Sequence, residues 1–141
     1  MRNCWKRFGN RVLHGPFAGM TLHPKPVASI WRHFSRTYES ELHQAWCSIF
    51  QLKFSLLIDV GAKFGFYAIG LAKQFPGRKI VAFDTDPWAR KATREMSLAN
   101  DVGVEVRAFC DPDWLRNHLP EGAFIFQRLL RVTQATLFGS E

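Results

Sequence analysis

The stretch LLIDVGAKFGFYAIG, residues 56–70, constrains the fold of this chain more than any other. It opens on a short run that is apolar except for Asp59, the pattern of a strand buried on both faces. Gly61 and Gly65 then bracket Lys63, and the pattern becomes that of a helix over 65–75, which Pro-Gly-Arg ends. A buried strand, a glycine turn and a helix in this order begin a parallel βαβ unit. Asp59 and Lys63 also argue against a membrane span over residues 54–72, because each charge near a bilayer centre costs about 2.5–3.5 kcal/mol.

The alternation continues downstream. KIVAFDTD, 79–86, reads as a second buried strand, and DPWARKATREMSLAN, 86–100, as a helix capped by Asp86 with Pro87 in its first position. VEVRAF, 104–109, is a third strand; Asp111 and Pro112 repeat the cap-then-proline signal before PDWLRNHL; GAFIF, 122–126, is a fourth strand. The fold class is therefore α/β, a Rossmann-like doubly wound parallel sheet, incomplete at about four strands, with helices on both faces and right-handed crossovers. The fourth strand lies at an edge unless more chain or a partner covers it, which leaves self-association through that edge open.

Around this core, residues 54–126, lie an N-terminal segment, 1–53, and a divergent tail, 127–141, that shows no clear continuation of the alternation. Residues 1–30 are irregular and rich in turn formers, with Pro24 and Pro26 excluding a regular helix. Over 38–52, Leu42, Ala45, Trp46, Ile49 and Phe50 recur at helical spacing, with Glu39 and Glu41 in the first turn.

A length of 141 residues, 47% of them hydrophobic, suits one folded domain. The net charge of +7 is concentrated in residues 1–53, with eight Lys/Arg against two acids, while residues 54–126 hold nine of each. No basic run is dense enough to define a nucleic-acid patch, so the excess reads as a soluble basic surface. Cys4, Cys47 and Cys110 are scattered and odd in number, which fits reduced thiols and a cytoplasmic protein. The five histidines form no zinc pattern, so no metal is expected. The N-terminus lacks an apolar run of signal-peptide length.

In an open α/β sheet, ligands bind beyond the carboxyl ends of the strands, here the loops 59–65, 84–87 and 109–112. Gly61 and Gly65 let backbone and ligand approach closely, and the following helix aims its N–H groups at a carboxylate or phosphate. Asp84, 23 residues after Gly61, ends the second strand, where a carboxylate can accept both hydroxyls of a ribose. The pattern G-x-G-x-x-G fails, since Lys63 and Phe66 stand where glycines are needed, which disfavours a dinucleotide.

The spacing D-x-G-x-x-x-G resembles motif I of class I S-adenosylmethionine-dependent methyltransferases. The longer match, carried by IDVGAKFGFYAIGLA and VAFDTDP, resembles the FkbM-type family over roughly residues 15–126. The resemblance implies S-adenosyl-L-methionine as cofactor and transfer of a methyl group, to oxygen, on a small molecule or glycan rather than a nucleic acid. It implies that Asp59, Gly61, Ala62 and Gly65 shape the methionine pocket and that Asp84 binds the ribose, with Thr85 beside the adenine. Asp111, or the backbone around Cys110, would reach the adenine edge, and Tyr38 and Glu39 would close over the cofactor. Two departures stand out. Lys63 replaces the family's usual Gly or Asn, and it has three readings: pairing with the cofactor's carboxylate, repelling its sulfonium by about 3 kcal/mol at 6 Å, or extending into water. The acidic D-x-E-G-x-E segment after the fourth strand is replaced by GAFIFQRLLRVTQ, so no general base is assigned. That departure makes the alternative a truncated, catalytically inactive remnant that binds the cofactor or a protein.

Overall fold

The computed structural model describes residues 11–22, 43–129 and 132–137. It comprises two compact units, Met1–Leu52 and Lys53–Glu141.

In the first unit, residues 12–20 fold back on themselves: the Val12 N–H donates to Met20 O and the Gly19 N–H to Val12 O, each at 2.8 Å. The turn formers of HGPFAG make this reversal, with Gly15 and Gly19 at φ of 86° and 87°. The only helix described here, α1 (His43–Ile49), buries Trp46, whose ring meets Phe17 edge-on at 5.5 Å. The start of the helix expected over 38–52, with Tyr38, Glu39 and Glu41, lies outside the described residues.

The second unit carries β1 (Leu56–Val60), α2 (Phe66–Gln74), β2 (Lys79–Phe83), α3 (Pro87–Ala99), β3 (Glu105–Arg107), α4 (Pro112–His118), β4 (Ala123–Leu129) and β5 (Val132–Leu137). The sheet order is β3-β2-β1-β4-β5. The first four strands are mutually parallel, and β5 pairs antiparallel with β4. Every side chain of β1 before Val60 is buried, as a central strand of a two-sided sheet requires. Leu56, Ile58, Val81, Phe83 and Ala123 form one core face, on which Trp114, Leu115 and Leu119 pack. The alternate residues Leu57, Ile80, Ala82, Phe124 and Phe126 are buried on the other face, where Tyr67 of α2 lies against Phe126 with centroids 4.9 Å apart.

One expectation changes. The sheet has five strands among the described residues, not four, and β4 is not an edge. Residues 127–129 extend β4 and residues 132–137 return beside it, with Leu129 opposite Val132. The sequence concealed this hairpin because Leu130 and Arg131, between the strands, are not turn-forming types. At the opposite edge, β3 is short and charged. Glu105 lies 3.4 Å from Lys79 and 3.0 Å from Arg107, and the hydrogen bond from Arg107, more than the Lys79 charge, holds its carboxyl below the usual value. A short charged strand is a poor template for further pairing.

Candidate functional site

Three helices start at the carboxyl end of the sheet, and their starts differ. Asp86 caps α3, accepting the Trp88 N–H at 2.9 Å, and Asp111 caps α4, accepting the Trp114 N–H at 2.7 Å; both are followed by proline. Helix α2 begins after Gly65, which has no side chain to offer, and its first turn contains no acid. The positive end of its dipole is therefore not neutralised by a cap of its own.

The loop before α2 is tightly fixed. Gly61 and Ala62 both direct their N–H groups at Phe83 O, at 2.9 and 3.0 Å, and the Gly65 N–H returns to Ala62 O at 2.8 Å. Gly61 (φ 78°) and Gly65 (φ 83°) take left-handed conformations that glycine adopts without strain. Lys63 takes one too, with φ of 52°. A left-handed backbone costs a non-glycine residue about 1–2 kcal/mol, which explains in physical terms why Gly or Asn suits this position.

Asp84 compensates. Its Oδ2 accepts the Lys63 N–H at 2.7 Å and its Oδ1 accepts the Asp86 N–H at 2.9 Å. The carboxylate thus ties the glycine loop to the end of β2. An ionised carboxylate has about four acceptor positions, so acceptor capacity remains on the half-exposed side chain after these two bonds.

The sequence-derived residues are distributed as follows. Asp59 is buried in β1, on the face it shares with its register partners Ala82 and Phe126. Gly61, Ala62, Lys63, Gly65 and Asp84 are brought together by the bonds just described. The Lys63 side chain is exposed and forms no ion pair among the described residues. Thr85 is exposed beside Asp84, with its carbonyl held by Arg90 Nη1 at 2.8 Å. Asp111 follows β3, one strand further out, with Oδ1 engaged as a helix cap. Burial, and then the neighbouring Asp111 charge, push the Cys110 thiol above its usual pKa. Tyr38 and Glu39 lie outside the described residues. At the end of β4, Gln127 stands opposite Val60 and Arg128 follows, so the strand beside β1 ends without an acid.

Sequence reasoning missed two kinds of residue. Thr93 and Arg90, on α3, contact these loops through hydrogen bonds that no local pattern announces. Phe109, after β3, is 68% exposed, and Trp88 in the first turn of α3 is 41% exposed. Both offer aromatic surface at the same end of the sheet as Asp84, and an aromatic just past a strand end was the available signal. Among the described residues no group of His, Cys, Asp and Glu could hold a metal ion, and no helix is long and apolar enough to cross a membrane.

No family model and no curated protein matches the chain. Solved structures do resemble it. A hypothetical protein of Thermus thermophilus aligns with a TM-score of 0.50 at 15% identity, over 92% of this chain and 99% of its own. Coclaurine N-methyltransferase, solved with N-methylheliamine and SAH, aligns with a TM-score of 0.51 at 14% identity, over 82% of this chain and 42% of the enzyme. The fold is Rossmann-like, as in these two proteins. The tRNA (uracil-54, C5)-methyltransferase of Pyrococcus abyssi, solved with S-adenosyl-L-homocysteine, aligns over 67% of this chain and 30% of its own, with 16% identity and a TM-score of 0.47. The chain thus spans less than half the length of either methyltransferase.

Proposed function

We propose that this chain is an S-adenosylmethionine-dependent methyltransferase domain of the FkbM kind, acting in the cytoplasm on an oxygen of a small molecule or glycan. The observation that carries the reading is the glycine-started, acid-free end of α2 set beside the Asp84 carboxylate, at the carboxyl ends of the adjacent strands β1 and β2. One end of such a site favours an anion and the other accepts hydroxyl donors, the two demands an amino-acid carboxylate and a ribose make together. The exposed aromatic surface of Phe109 suits the face of a base. The solved complex of coclaurine N-methyltransferase with SAH is consistent with the same cofactor here.

On this reading the α2 N-terminus and the loop Gly61–Ala62–Lys63–Gly65 hold the amino-acid part, with Asp59 shaping the pocket floor from β1. Asp84 holds the ribose, and Thr85 and Asp111 border the base. The cofactor supplies an electrophilic methyl group to the acceptor. The chain's own contribution is binding and orientation, because the end of β4 offers Gln127 rather than a carboxylate base. The exposed Lys63 side chain fits the reading in which its charge extends into water.

Calorimetric titration of the 141-residue protein with S-adenosylmethionine and S-adenosylhomocysteine tests the reading. Absence of binding by the wild type sinks it. Loss of affinity in Asp84→Ala alone does not prove a ribose contact, because that substitution also releases the glycine loop. A cycle that combines Asp84→Ala with a 2′-deoxy ligand isolates the direct contact as a coupling between the two changes. Additive losses would reduce Asp84 to a loop anchor.

A second reading is a catalytically inactive module that binds the cofactor without transfer. The absence of an acid at the end of β4 favours it. Binding with no methyl transferred to the chain's own acceptor class would select it. Self-association through a sheet edge falls to β5 rather than to the short, charged β3, and sedimentation of the purified chain reads it directly.

A further inference from the structure

We infer that Thr93, in the middle of α3, is a positioning residue that sets the shape of the glycine loop, an inference that rests on the cofactor site proposed above. Lys63 is the strained point of that loop, and it is held from both sides. Its N–H donates to Asp84 Oδ2 at 2.7 Å. Its carbonyl accepts from Thr93 Oγ1 at 3.0 Å, while the same hydroxyl lies 2.9 Å from Ala89 O.

The single hydroxyl proton is shared between the two carbonyls: the Ala89 contact is the ordinary back-bond of a helical threonine, and the Lys63 contact reaches 30 residues away in sequence. Thr93 is 1% exposed, so its hydroxyl cannot exchange the Lys63 carbonyl for water. The methyl group acts on the next turn of the loop. A Cβ placed on Gly65 would lie 2.6 Å from Thr93 Cγ2, so methyl and glycine are already in close contact. A β-branched side chain fixed at χ1 by its back-bond cannot swing away.

The same helix fixes the other loop. Arg90, one turn earlier, donates from Nη1 to Asp84 O at 2.9 Å and to Thr85 O at 2.8 Å. Thr93 and Arg90 therefore hold the β1 and β2 loops from one rigid element, and the separation between the α2 N-terminus and the Asp84 carboxylate is set by α3. A ligand that bridges those two points senses Thr93 without touching it.

The test compares Thr93→Val with Thr93→Ser in the full chain. Valine keeps the branched shape but puts a methyl group where the hydroxyl meets the carbonyl; serine keeps the hydroxyl and loses only the methyl. The first readout is amide hydrogen exchange in the ligand-free protein at Lys63 and Gly65, relative to Ile58 in the central strand. The second is affinity for S-adenosylhomocysteine. Thr93→Val is expected to speed exchange at the two loop amides about tenfold relative to Ile58 and to weaken binding about tenfold, and Thr93→Ser to recover most of both. Unchanged loop exchange in Thr93→Val, or a serine variant as impaired as the valine variant, overturns the inference. If Thr93→Val does not fold, Thr93→Ala replaces it, and a serine variant no better than alanine is the overturning result. A wild type that binds no ligand overturns the methyltransferase reading, and exchange alone then decides the role of Thr93.

Discussion

Helices α2 and α3 start within one loop's distance of each other on adjacent strands, yet they are built on opposite principles. The start of α3 satisfies itself: Asp86 accepts an orphan N–H, and Pro87 removes the need for another. The start of α2 is built differently. Gly65 gives no cap, Lys63 is held in a left-handed conformation, and the stabilising bonds come from Asp84 and Thr93 in other elements. The difference teaches that a helix end intended only for stability is completed by its own sequence. An end with open electrostatics must be propped from elsewhere.

The strongest challenge to this contrast is Gly65→Ala. The new side chain meets both the left-handed backbone and Thr93 at 2.6 Å, so we expect a loss of about 3 kcal/mol or more in urea unfolding. A loss below about 1 kcal/mol would show that the loop yields easily and is not propped. Asp84→Ala comes next. It leaves the Lys63 and Asp86 N–H groups without their acceptor, at an expected cost of about 2 kcal/mol, and it should weaken cofactor binding.

Asp86→Ala sharpens the comparison from the other side. Losing this cap should cost about 1 kcal/mol and leave affinity for S-adenosylhomocysteine within about twofold, because the Asp86 carboxylate caps the Trp88 N–H while the backbone N–H that Asp84 holds remains in the variant. Smaller still is Lys63→Gly. Relief of the left-handed strain, about 1–2 kcal/mol, is offset by the entropy of a new glycine, about 0.5–1 kcal/mol. The expected result is a stabilisation of roughly 0.5 kcal/mol with binding unchanged. Tighter binding instead would mean that the ammonium repels the cofactor, and weaker binding that it holds the carboxylate.

The smallest effect belongs to Glu105, on the β3 edge. Its carboxyl is held below its ordinary pKa in the folded state, so its ion pairs contribute above the unfolded value and are lost as pH falls through the folded one. The side chain is more than a third exposed, and screening limits the contribution to about 0.5 kcal/mol. Glu105→Gln should therefore match the wild type only once the pH has fallen below the depressed folded-state pKa, and fall slightly behind it at neutral pH in thermal unfolding.

Much of this was legible in the chain itself. The run LLIDV, the pair Gly61 and Gly65, and the two Asp-Pro caps identify the alternating fold because each signal is local: burial on both faces, positive φ, and capping are properties of a few consecutive residues. The position of Asp84 at a strand end was legible for the same reason. Its bond to Lys63 was not, because it joins residues 21 apart in sequence through the parallel pairing of β1 and β2.

Sequence alone thus determined the order of strands and helices from β1 to β4 and the turns between them. Tertiary structure decided what local signals cannot carry. It turned Asp84 from a free acceptor into an anchor and made Thr93 part of the loop. It also paired residues 132–137 with β4 through a connection that has no turn signature. The first two depend on a hydrogen bond whose partner is supplied by a distant element that only the packed sheet brings near, and the third on a strand pairing that the residues between the strands do not announce.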